Sequence, residues 1–153
     1  VANHNEDEVE PLLKSGATVI GLSDAGAHAS QLCDACQPTY FLGRWVREKQ
    51  TFTIEEAVRM LTSHPAEVAG ITDRGLLAEG RPADVAVFDP ETVGAGGLER
   101  VYDFPGGADR LISKERGMRA VVVNGTILRE NGADAISPEG NLPGGVLRNG
   151  RAA

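Results

Sequence analysis

The first half of the chain carries its apolar residues at helical spacing, interrupted by one short unbroken apolar run. Glu6, Asp7, Glu8 and Glu10 precede Leu12 and Leu13. Acidic side chains suit the first turn of a helix, where unpaired amides point outward, and Asn5 stands where an N-cap belongs. Gly16 is placed to stop this helix. Pro11 lacks an amide hydrogen and is tolerated only in or near the first turn. Ala17-Thr18-Val19-Ile20-Gly21-Leu22 follows, apolar without alternation, as expected of a parallel strand buried on both faces. It ends in the polar loop Ser23-Asp24-Ala25-Gly26-Ala27-His28. Pro38 opens a second helix with Phe41, Leu42, Trp45 and Val46 on one stripe. Thr53-Ile54-Glu55-Glu56 is a capping box, and Ile54, Ala57, Val58 and Leu61 then recur at i, i+3, i+4 and i+7. Ser63-His64-Pro65 ends this helix and starts a short one reaching Gly70.

From Arg74 the pattern becomes one of short strands and turns. Gly75-Leu76-Leu77 predicts a strand, Glu79-Gly80-Arg81-Pro82 a turn, and Asp84 to Asp89 a strand closed by Pro90. Residues 94–117 are Gly-rich and read as a long irregular loop. Ala120–Val123 and Thr126–Arg129 flank Asn124-Gly125, which accepts the positive φ values of a type I′ hairpin turn. Asn131-Gly132 turns again, and the segment from Ser137 reads as an extended tail. The Asp84–Phe88 and Ala120–Arg129 segments are expected in one small β-layer, separate from the strand ending at Asp24. Val85, Val87, Val121 and Val123 are expected to share its core.

Composition narrows the class. Of 153 residues, 41% are hydrophobic and 24% charged, which suits one packed domain or a piece of a larger protein. Lys plus Arg is 15 against 22 for Asp plus Glu, a net charge of −7. A surface that neutralises phosphates needs the opposite balance, so no nucleic-acid partner is expected. The longest aliphatic run, Ala120–Val123, is far too short for a bilayer, so no membrane is expected either. Two cysteines make no disulfide framework, and a reducing, cytoplasmic setting is expected. The chain opens on Val1 rather than Met, so sequence upstream of it is expected.

Two places could carry chemistry. Asp24 directly follows the apolar run, and functional groups gather at the C-terminal ends of parallel strands. A carboxylate held there could ligate a metal or move a proton. Asp24 equally suits the capping of the turn that follows it. His28-x4-Cys33-x2-Cys36, with Asp34 inside, has ligand types suited to zinc but no second pair to complete four ligands. Ordinary loop residues account for it better, and a redox Cys-x-x-Cys accounts for it less well. His64 reads as structural, satisfying carbonyls at a helix end; His4 is uninformative. Gly94-Ala95-Gly96-Gly97 lacks the following helix that a phosphate-binding loop requires.

The order of these segments resembles the amidohydrolase superfamily. Val19 to His28 is similar to its eighth barrel strand, and Thr53 to Thr62 with Ser63-His64-Pro65-Ala66 to the helices that follow. Asp73 to Asp89 resembles the re-entry into its small β-sandwich, and Val121-Val122-Val123-Asn124-Gly125 its terminal strand and turn. Ser-Asp-x-Gly-Ala-His, Trp45-Val46-Arg47-Glu48 and Tyr102-Asp103-Phe104-Pro105 resemble the N-acyl-D-amino-acid deacylase (D-aminoacylase-like) branch.

The resemblance implies an α/β plus β fold: the last strand and helices of a (β/α)8 barrel in residues 1–70, part of a small β-sandwich in 71–132, and a tail in 133–153. It implies zinc or another divalent metal and a small-molecule N-acyl amino acid substrate. Asp24 matches the family's aspartate that faces the metal and shuttles the proton of the activated water to the leaving amine. His28 is a candidate substrate contact. The remaining metal ligands would lie outside this chain, so the chain alone is expected to hold no metal tightly and to be inactive. A homo-oligomer is compatible with these features. A non-catalytic binding or assembly module on the same fold is the competing expectation. A His-x-His upstream would separate the two.

Overall fold

A computed structural model describes residues 5–21, 23–31 and 34–152, so His4, Leu22 and Cys33 lie outside the described residues. The protein is a mixed helix-and-sheet structure whose helices precede its strands.

Helix α1 spans Glu6–Lys14, and the Asn5 side chain accepts from the Asp7 amide at 3.2 Å, as an N-cap should. Pro11 lies beyond the first turn, contrary to expectation. Its ring leaves the Asp7 carbonyl without an i+4 partner, yet the helix continues, helped by a 2.7 Å Lys14–Glu10 pair. Ser15 Oγ closes the end by donating to the Leu12 carbonyl at 2.7 Å, and Gly16 turns away at φ 70°.

The strand expected over 17–22 is absent in its described part, residues 17–21. Val19 is 39% exposed, although Ile20 still packs against the core. A strand exists only through a ladder, and no described segment pairs with this one.

Helix α2, Gln37–Tyr40, runs into a π-helix, Phe41–Glu48. The wider turn is closed at its end by the Lys49 amide, which donates to the Arg44 carbonyl five residues back at 2.9 Å. Phe41, Leu42, Gly43 and Trp45 are buried on its inner face. Helix α3, Ile54–Leu61, carries the full capping box: Thr53 Oγ1 accepts from the Glu56 amide, and Glu56 Oε2 from the Thr53 amide. Ala57 is completely buried, but Val58 is surface-exposed, so the packed stripe is narrower than its sequence pattern. Thr62 breaks the line and α4 follows, Ser63–Val68.

The strands are β1 Val85–Phe88, β2 Gly94–Val101, β3 Arg110–Arg116, β4 Met118–Val123, β5 Thr126–Glu130, β6 Ala133–Asp134, β7 Leu147–Arg148 and β8 Arg151–Ala152. They form three open antiparallel sheets, ordered β1-β4-β5-β6, β2-β3 and β7-β8. The expected β-layer of 84–88 with 120–129 is present.

Four expectations need correction here. Leu76 and Leu77 form no strand and stand 56% and 70% exposed. Residues 94–117 are not an irregular loop but the β2–β3 hairpin. Its glycines belong to a register shift between Ala95 and Leu98, where a Cβ on Gly96 would collide with the Lys114 carbonyl oxygen. The tail is not wholly extended, because Asn149-Gly150 folds β7 onto β8 and the Gly150 carbonyl accepts from the Thr72 amide. The four valines do not share one core. Val85 pairs with Val122 and Val87 with Ala120, so Val121 and Val123 point to the opposite face. Val87 is 45% exposed.

The core lies instead between the helices and the loop after β1. Phe41, Leu42, Trp45, Ala57 and Val93 are buried together, with Phe88 and Met118 reaching in from the sheet. Asp89 builds the approach: its side chain accepts from the Glu91 amide at 2.9 Å, and its carbonyl accepts from the Val93 amide at 2.8 Å.

Candidate functional site

Asp24 and His28 each open a tight turn in the loop after residue 21. The Asp24 carbonyl accepts from the Ala27 amide at 3.0 Å, and the His28 carbonyl from the Gln31 amide at 2.7 Å. Both residues have positive φ, 54° and 48°. An aspartate tolerates that region better than most non-glycine residues, because its short side chain can bond locally. Both side chains are exposed. Asp24 is therefore open to solvent: with no ladder beneath it, residues 17–21 do not present a strand end. Asp24 serves the following turn through its backbone carbonyl.

The loop is tethered to the β2–β3 hairpin. The Leu111 amide donates to the Ala29 carbonyl at 2.8 Å, and Arg100 Nη1 to the Ser30 carbonyl at 3.1 Å. No local sequence signal marks Arg100 or Leu111 for this role, because the contact spans 70 positions or more. Beyond these strands, Asp103 takes both Nε and Nη2 of Arg110 at 2.7 Å, and the guanidinium stands 5.5 Å from the Phe104 ring. Arg110 holds the Asp103 carboxyl below its ordinary range. This surface ion pair joins Asp103 to the start of β3, and Tyr102 beside it is exposed.

The described residues do not by themselves fit a metal ion. Among the described residues no three His, Cys, Asp or Glu side chains come together in a way that could hold one. Cys36 is half-buried at the N-cap of α2, and Cys33 lies outside the described residues. No catalytic step through a metal can be built on these side chains. A cleft of about 300 Å³ between the end of α1 and α3 is lined by Leu13, Thr18, Phe52, Arg59, Met60 and His64. It does not include Asp24 or His28. His64 faces this cleft from the first turn of α4, and among the described residues its imidazole bonds no helix-end carbonyl. No helix among the described residues is long and apolar enough to cross a membrane.

Comparison with known proteins places the chain. Residues 2–129 match the amidohydrolase family. The N-acyl-D-glutamate deacylase of Alcaligenes xylosoxydans xylosoxydans is 40% identical over 111 residues, covering 72% of this chain and 20% of that protein. A crystal structure of a D-aminoacylase is 27% identical, covers 64% of this chain and 19% of its own, and superposes with a TM-score of 0.51. The N-acyl-D-glutamate deacylase of Bordetella bronchiseptica, solved with zinc and a phosphonate inhibitor, is 38% identical over 63% of this chain and 19% of its own, with a TM-score of 0.47. The chain spans about a fifth of the length of these relatives. With most of its length inside the family match, the chain belongs to the amidohydrolase family, on its D-aminoacylase side.

Proposed function

We propose that this chain is the C-terminal portion of a metal-dependent amidohydrolase that cleaves the amide bond of N-acyl-D-amino acids or related amides. The observation that carries this reading is the 40% identity to an N-acyl-D-glutamate deacylase over 72% of the chain. Residues 1–70 are then the end of a (β/α)8 barrel, 71–132 part of the flanking β-sandwich, and 133–153 its tail. Asp24 is the proton-transferring carboxylate of the parent and a candidate metal contact, and His28 is a substrate contact. The zinc or other divalent metal is held by residues beyond these. The parent works in the cytoplasm on a small-molecule substrate.

On this reading the chain alone is inactive. Catalytic zinc sites use about three protein ligands, and the candidate site offers one carboxylate. The purified chain, assayed against N-acetyl-D-amino acids with added zinc, should give no turnover above a buffer control. Turnover that copurifies with the chain and vanishes in Asp24→Asn would defeat it.

A further inference from the structure

Asn-Gly occurs three times, at Asn124-Gly125, Asn131-Gly132 and Asn149-Gly150, and each pair has positive φ at both positions. Asparagine before glycine is prone to a spontaneous reaction. The glycine amide nitrogen loses its hydrogen and bonds to the asparagine Cγ, while the Cγ–Nδ2 bond breaks and the nitrogen leaves as ammonia. Water then opens the five-membered imide to aspartate or isoaspartate. In a type I′ turn the left-handed asparagine holds the next nitrogen away from its own side chain, so the reaction waits for the turn to open.

The three turns differ in what keeps them shut. Asn124 is held at every polar atom that matters. Its Oδ1 accepts from Arg74 Nη2 at 3.1 Å, its Nδ2 donates to the Pro143 carbonyl at 2.6 Å, and its amide donates to Asp84 Oδ1 at 2.8 Å. The attacking nitrogen, that of Gly125, donates to the Ala83 carbonyl at 2.9 Å. Arg74 is itself fixed by Asp84, Nε to Oδ2 2.8 Å, and the flanking strands are six and five residues long. Asn131 and Asn149 are exposed, and among the described residues their side-chain amides have no hydrogen-bond partner. The Asn131 turn rests on a two-residue strand on one side, its Gly132 carbonyl accepting from Arg129 Nη2 at 2.8 Å, and the Asn149 turn on two-residue strands on both, its Gly150 carbonyl accepting from the Thr72 amide; neither bond engages the asparagine side chain. Hairpins that short open readily.

We propose that Asn131 and Asn149 are sites of spontaneous deamidation and that Arg74 shields Asn124, the same dipeptide, from it. The purified chain is aged at mildly alkaline pH, natively and in denaturant, and each asparagine is followed by peptide mapping with mass spectrometry. In the native chain Asn131 and Asn149 should convert about tenfold or more faster than Asn124, as the loss of a charge-assisted hydrogen bond on opening implies. In denaturant the three rates should converge. Arg74→Ala, checked for native circular dichroism, should bring Asn124 up toward the other two. The proposal is overturned if Asn124 keeps pace with either one in the native chain, or if the gap persists in denaturant. It is equally overturned if a folded Arg74→Ala leaves Asn124 slow. Should that variant not fold, the native and denatured rates of the unaltered chain decide.

Discussion

Arg44 grips Glu6 with two nitrogens at once, Nε 3.0 Å from Oε1 and Nη2 2.7 Å from Oε2. Tyr40 donates its hydroxyl to the same carboxylate at 2.9 Å, and Lys49 stands 3.3 Å away. The pair is separated by 38 positions and fastens the first turn of α1 to the π-helix. A bidentate guanidinium–carboxylate contact fixes direction as well as distance.

Those bonds, Arg44's first and Tyr40's next, bring the Glu6 carboxyl from 4.5 down to about 2. A carboxyl with a lowered folded-state value adds stability above its unfolded value and loses it as pH falls through the folded one. The chain should therefore weaken between pH about 4.5 and about 2. Glu6→Gln should flatten that part of the profile. Urea unfolding midpoints across this range test it, and equal slopes for the two proteins would remove Glu6 from the account.

Gly43→Ala sets two effects against each other. Alanine favours a helix over glycine by about 1 kcal/mol. A Cβ at Gly43, however, would lie 2.9 Å from the Val93 carbonyl oxygen and 3.1 Å from the Gly94 Cα, both backbone atoms with little freedom to move. Overpacking costs about 1–3 kcal/mol, so the substitution should destabilise on balance. A raised thermal midpoint would show that the helix and the loop are not in contact there.

Val93 is fully buried in a loop and completes the cluster around Trp45, the single tryptophan. Val93→Ala should cost about 1.5–3 kcal/mol. Trp45 fluorescence reports the loss as an earlier unfolding transition. An unchanged transition would place Val93 outside the core.

On the proposed function, Asp24→Asn in the full-length parent keeps the shape and removes the base. Activity should fall by about 10²–10⁴-fold, the usual contribution of a general acid–base group, with metal content retained. Near-normal turnover with the metal bound would rule Asp24 out of proton transfer.

Local signals are legible in the sequence wherever the structure depends on neighbours a few residues apart. Asn5 and the Thr53–Glu56 box satisfy backbone groups from within one turn, the Phe41–Trp45 stripe is one face of one helix, and Asn124-Gly125 shows by its residue types that it accepts positive φ. What depends on distant partners is not legible. Val19 and Ile20 look like a strand, but a ladder is a property of two segments. Gly94, Gly96 and Gly97 look like a loop until the partner strand β3 is seen, with the Lys114 backbone crossing close beside Gly96. Val93, alone between Thr92 and Gly94, shows no periodicity at all, yet it is one of the most buried residues. The candidate site follows the same division. Asp24 and His28 stand out by position and family resemblance, while their tethers, Leu111 and Arg100, come from a hairpin hidden by its glycines.

The turn at Asp89 changes what the linker through residues 70–84 has to do. The Asp89 amide donates to the Gly117 carbonyl at 2.8 Å, and a side chain on Gly117 would strike the Val93 backbone, so strand end, turn and buried valine are wedged together beneath the helices. Within that linker Thr72 and Arg74 are bonded to Gly150, Asp84 and Asn124, and the exposed stretch from Leu76 to Arg81 is the leash. Severing it between Leu77 and Gly80 would leave two peptides docked through Val93, Phe88 and Met118, a split protein that could reassemble from its halves.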